Sequence, residues 1–129
     1  MRVIKFHIML AIAVLVLGLG SCYYDEVIFP TAGEIQGDVS FSADIIPIFS
    51  KDCSTSGCHN TGGQKPDLSS ANAYNSLLND GYINIAYPEE SELYLWMKGL
   101  KAVPMPLSGS NAGYTANVLA WIKQGAQNN

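Results

Sequence analysis

The chain has 129 residues, of which 48 % are hydrophobic and 14 % charged, and its formal net charge is −4. That length holds one small domain, and the acidic balance lacks the basic footprint that binding to nucleic acid requires. There is no internal repeat and no low-complexity tract.

The N-terminus reads as an export signal. Arg2 and Lys5 form a short positive region, and residues 8–19 are an almost unbroken apolar run, about the length of a signal core and short for a membrane span. Leu19-Gly20-Ser21-Cys22 follows, in the pattern of a bacterial lipobox. Residues 1–21 are therefore expected to be a lipoprotein signal peptide, with Cys22 as the lipidated residue. Cleavage would remove Arg2 and Lys5 but none of the 11 acidic residues, leaving a formal charge of −6. Residues 22–40 hold Pro30, Gly33, Gly37 and several carboxylates, and read as a tether. Tyr23, Tyr24, Val27, Ile28 and Phe29 are unusually apolar for a tether and suit packing on the domain or the membrane surface.

Residues 41–129 are expected to form the domain. A first helix is predicted over 44–53, with Asp44 as its cap and Pro47 in its first turn, where a missing N–H costs little. Residues 53–59 then read CSTSGCH. Two thiols followed at once by a histidine are the pattern of covalent haem attachment, here with a four-residue spacer instead of two. Each thiol adds across one vinyl group to form a thioether, and His59 is then placed to give an axial nitrogen. Small residues at 54–57 suit the longer loop, and Gly57 supplies backbone angles closed to other residues. With Cys22 assigned to lipid, the alternatives for Cys53 and Cys58 are a disulfide or a zinc site. Zinc would need about four ligands, and Cys53, Cys58 and His59 are three.

A second helix is predicted over 70–79, capped by Ser69 or Ser70 and packing through Ala73, Tyr74, Leu77 and Leu78. Residues 82–87 alternate briefly but are too short to argue for a strand. A third helix is predicted over 89–98, with Glu89, Glu90 and Glu92 in its first turn and Gly99 at its end. Met97 falls at helical spacing with Leu93 and Leu100, which marks it as core. Met105 sits between Pro104 and Pro106, which deny that segment a helix. His7 lies in the signal, so His59 is the one histidine of the mature chain, and methionine is the remaining common axial partner. Met105 is the expected second ligand. A fourth helix is predicted over 116–124, capped by Thr115 and ended by Gly125, with Val118, Leu119, Trp121 and Ile122 as its packing surface.

These segments together resemble a small mono-haem domain of the class I cytochrome c type, in the variant found in exported lipoproteins of Bacteroidetes and Planctomycetes. The resemblance rests on FSADIIPIF (41–49), CSTSGCH (53–59), PDLS (66–69), SELY (91–94), Met105-Pro106 and WIKQGA (121–126). It implies an all-α fold of about four short helices, with the outer two packed together and long loops around one haem c. It also implies His59 as proximal ligand, Met105 as distal ligand, and one-electron transfer. An iron with both axial positions filled has no site for a small-molecule substrate, so a carrier is expected and not an enzyme. Its partners would be redox proteins at the periplasmic face of a bacterial membrane or at the outer membrane. Two other readings are a haem-based sensor with an open iron, and a haem-free, disulfide-bonded surface lipoprotein.

Overall fold

Helix formation begins at Ser40, ahead of the expected start. The computed structural model describes residues 35–129. Residues 1–34, and with them the signal, Cys22 and most of the tether, lie outside the described residues. Ser40 is extended, and its Oγ accepts from the Ala43 amide at 3.2 Å. The Ser40 amide donates to Asp44 Oδ2 at 2.8 Å. This is the reciprocal arrangement of a capping box. Ser40 is thus the cap, and Asp44 closes it from inside the helix, which corrects the expected role of Asp44.

The opening turn, Phe41–Ile45, is π-helical and runs into α1 (Ile46–Asp52). Pro47 accounts for the widened turn. Its nitrogen has no proton, and its ring would collide with the carbonyl four residues back in a regular α-helix. A π turn relieves that contact.

α2 spans Ala73–Asn79, three residues shorter than predicted. The amides of Asn72 and Ala73 both donate to the Ser69 carbonyl, so residues 70–72 form a turn. Neither Ser69 nor Ser70 caps the helix. The cap position is Asn72, with no side-chain bond.

The third predicted helix is broken at Ser91. A 3₁₀ turn, Pro88–Glu90, precedes α3 (Glu92–Met97), and Ser91 between them is extended. Ser91 is fully buried, and its Oγ accepts from the Asn84 amide at 2.9 Å. Glu89 and Glu90 therefore belong to the 3₁₀ turn, and Glu92 alone sits in the first α turn.

α4 (Ala112–Lys123) starts four residues earlier than predicted. Asn111 caps it, accepting from the Tyr114 amide at 3.1 Å. Thr115 is inside the helix, buried, and donates its hydroxyl proton to the Asn111 carbonyl at 2.8 Å. It is not the cap. Both α3 and α4 close as expected at Gly99 and Gly125, with paired reverse bonds (Leu100 to Leu95 and Ala126 to Trp121) of the Schellman type.

The described residues are helical and contain no strand. Phe41 is the centre of the core. Its ring lies 5.0 Å from Trp121 of α4, 5.4 Å from Tyr74 of α2 and 6.4 Å from Phe49 of α1, centroid to centroid. Four aromatic rings thus join three helices at one point. The ends of α1 and α4 are also joined, because the Tyr114 hydroxyl donates to Asp52 Oδ2 at 2.7 Å.

Residues 35–40, expected as the last part of the tether, are tied to the domain through Val39. Val39 is buried, and its amide donates to Gln124 Oε1 at 2.8 Å. Gln124 Nε2 donates in turn to the Gly37 carbonyl at 3.0 Å. The packed domain begins ahead of residue 41. Among the described residues, no helix is long and apolar enough to cross a membrane.

Candidate functional site

α1 delivers Cys53 at its C-terminal end, so the core that fixes Phe49 also fixes the first thiol. Cys53 takes the C-cap position, its amide donating to the Phe49 carbonyl at 2.9 Å. The chain then turns back on itself. The Cys58 amide donates to Thr55 O at 3.0 Å, and the His59 amide donates to Cys53 O at 3.1 Å. That last bond brings the backbone of His59 against that of Cys53. Gly57 holds a left-handed φ of 81° inside the loop, as its place in the motif predicts.

Both thiols are free and partly buried. Burial is the main reason the Cys53 thiol is pushed up to about 11, with the nearby Asp52 and Cys58 adding to it. Cys53 is therefore a neutral thiol at physiological pH. Among the described residues, no three or more His, Cys, Asp or Glu side chains are grouped to hold a metal ion. The zinc alternative has no such cluster here.

His59 is oriented through its ring. Nδ1 lies 3.1 Å from the Pro66 carbonyl oxygen. A carbonyl can only accept, so Nδ1 carries the proton, and in the neutral ring Nε2 keeps its lone pair. An imidazole anchored by one nitrogen to a backbone carbonyl, with the other free, is the usual state of a metal-binding histidine. The Pro66 carbonyl is held in place in turn, because the Leu68 amide donates to His59 O at 2.7 Å and the Gln64 amide to Cys58 O at 2.7 Å.

Gly63 makes this crossing possible. A Cβ built there would collide with the Cys58 carbonyl oxygen and with Asn60 Oδ1. Asn60 Oδ1 is also buried without a hydrogen-bond partner among the described residues. Neither Pro66 as the histidine's acceptor nor Gly63 as the crossing point was assigned a role from the sequence. The Gly62-Gly63 pair so soon after His59 was the available signal for a close backbone approach.

The two methionines separate as expected. Met97 is 3 % exposed and packs in the core. Met105 is half-buried in an irregular loop, followed by a cis Met105–Pro106 bond. Its amide donates to the Trp96 carbonyl at 3.3 Å, which ties the loop to α3. No hydrogen bond among the described residues joins this loop to residues 53–68. Cys53, Cys58 and His59 are thus brought together by backbone bonds, while Met105 is held on a separate loop by α3.

Among the described residues, the large apolar side chains left in water lie on the loops flanking α3. Ile85 and Tyr87 precede it, and Leu100, Val103 and Leu107 follow it, between 44 % and 70 % exposed. Three of the five surround Met105 in sequence. Comparison with protein-family models, with curated proteins and with solved structures finds no match to this chain.

Proposed function

We propose that this chain is a c-type cytochrome that passes one electron at a time at a bacterial membrane surface. The observation that carries the proposal is His59, directly after Cys58, with Nδ1–H given to the Pro66 carbonyl and Nε2 left as a free donor. In this reading Cys53 and Cys58 would hold haem c through thioethers, and His59 and Met105 would ligate its iron. The bound group supplies a ferric/ferrous couple.

The chain's own residues do the rest. Pro66 fixes the tautomer and tilt of the imidazole. Gly57 and Gly63 let the loop fold tightly enough to bring the backbone of His59 back against that of Cys53. The neutral Cys53 thiol resists oxidation to a disulfide before attachment, since thiolate is the form that reacts. Ile85, Tyr87, Leu100, Val103 and Leu107 offer apolar surface that a large flat ligand would cover. Met105 has the soft sulfur and the loop setting of a distal ligand, and Met97, locked in the core, does not.

On this reading the fold would be of the cytochrome c type, and an iron held by both His59 and Met105 would leave no position for a substrate. Cys22 would carry the lipid that keeps the carrier near basic or neutral redox partners. Haem staining after denaturing electrophoresis tests the proposal. The full chain, isolated from its native envelope, is expected to stain, and the Cys53→Ser, Cys58→Ser double variant to lose the stain. An unstained full chain of the right mass would refute covalent attachment.

A further inference from the structure

The peptide unit between Pro66 and Asp67 is held from both sides. Its carbonyl oxygen accepts from His59 Nδ1 at 3.1 Å, and its N–H donates to Ser76 Oγ at 3.0 Å. Ser76 lies in α2, an element that touches His59 through no hydrogen bond of its own. The Ser76 hydroxyl donates onward to Asp80 Oδ2 at 3.4 Å, and Asp80 pairs with Lys65 Nζ at 3.4 Å. The Asp67 carboxylate pins the same stretch, accepting from the Ser69 amide at 3.0 Å and from Asn72 Nδ2 at 2.9 Å.

We infer that Ser76 is a positioning residue for the His59 imidazole, acting through the Pro66–Asp67 peptide. The effect on iron rests on the reading of His59 as a ligand; the effect on the ring does not. An amide whose N–H is hydrogen-bonded is a stronger acceptor at its carbonyl, because linked hydrogen bonds polarise one another. A stronger acceptor at Pro66 draws the Nδ1 proton and makes Nε2 a better electron donor. A more donating imidazole favours ferric iron and lowers the reduction potential. The outer link is weaker. Lys65 and Asp80 meet at the solvent-exposed surface, where such ion pairs contribute little. Ser76 therefore carries the effect, and Asp80 adds to it only slightly.

α2 tolerates the test, since alanine is a favourable residue within a helix. The full chain is compared with Ser76→Ala and Ser76→Thr, after isolation from the envelope and haem staining. Ser76→Ala is expected to keep its covalent haem, to show a higher midpoint potential, and to exchange its His59 Nδ1 proton up to about twofold faster, the scale of losing the roughly 10–30 % by which linked bonds strengthen one another. Ser76→Thr keeps the hydroxyl and should return both values towards wild type. An unchanged potential and exchange rate in a helical Ser76→Ala protein would overturn the inference. An unstained wild-type chain would end the cytochrome reading, and the ring would then be judged by nitrogen NMR of the haem-free protein. A single Nδ1–H tautomer in wild type that is lost in Ser76→Ala supports the inference, and a tautomer mixture in wild type overturns it.

Discussion

Gly63, Met97 and Met105 show how much single positions carry. At Gly63 the neighbours of a new methyl include the backbone oxygens of Cys58 and Asn60, which cannot swing aside as a side-chain end could. The crossing of residues 58–64 must shift to admit it. Gly63→Ala is expected to destabilise the protein by about 1–3 kcal/mol, the range for forcing atoms into a filled site, and to lower haem loading. Chemical denaturation and the haem-to-protein absorbance ratio check both. The methionines should separate by assay. Met97→Ala opens a cavity in the core and should cost about 2–5 kcal/mol of stability. Met105→Ala, on a half-exposed loop, should cost less in unfolding, yet it alone should remove the methionine–iron signature. Equal losses of stability with unchanged spectra would contradict this division of roles.

At the scale of elements, the apolar spacing announced four helices, and the described residues hold four α-helices. Their starts were less legible. Asp44 and Thr115 are good capping residues by type, but each sits one turn inside its helix. In the first case Pro47 forces a π turn, which moves the cap back to Ser40. In the second, Gly113 in the opening turn hid Asn111 as the cap. The break at Ser91 depends on Asn84, a partner supplied by tertiary packing that no local pattern encodes. Asn111→Ala should destabilise the protein by about 1 kcal/mol, and Thr115→Ser, which keeps the bond to the Asn111 carbonyl, by less. Thermal melts of the two variants test this. A larger loss in Thr115→Ser than in Asn111→Ala would restore Thr115 as the dominant residue at that end.

For the whole molecule, the candidate site was legible as a set of residue types, and its support was not. CSTSGCH and the proline-flanked Met105 stand out in the sequence. Pro66, Gly63 and Ser76 become visible only when the loop closes on α2. The state of the thiols also couples to global stability. Burial raises the Cys53 pKa from 9.0 to about 11 in the folded chain. The folded state thus holds the thiol proton more tightly than the unfolded one. That contribution is complete below pH 9 and is lost as pH rises towards about 11. A haem-free chain with free thiols should therefore weaken across this window. A thioether has no proton to lose, so the loaded protein should lack this fall. Denaturant midpoints measured across the window in both forms check the sign.

The central claim is a covalent haem held between His59 and Met105, and one optical measurement tests it most directly. The full chain from its native membrane is recorded oxidised and then reduced with dithionite, beside Met105→Ala. The account predicts sharp low-spin bands on reduction and a weak far-red band in the oxidised protein that Met105→Ala abolishes. A high-spin spectrum in the wild type, or a far-red band that survives in Met105→Ala, would contradict His59/Met105 ligation.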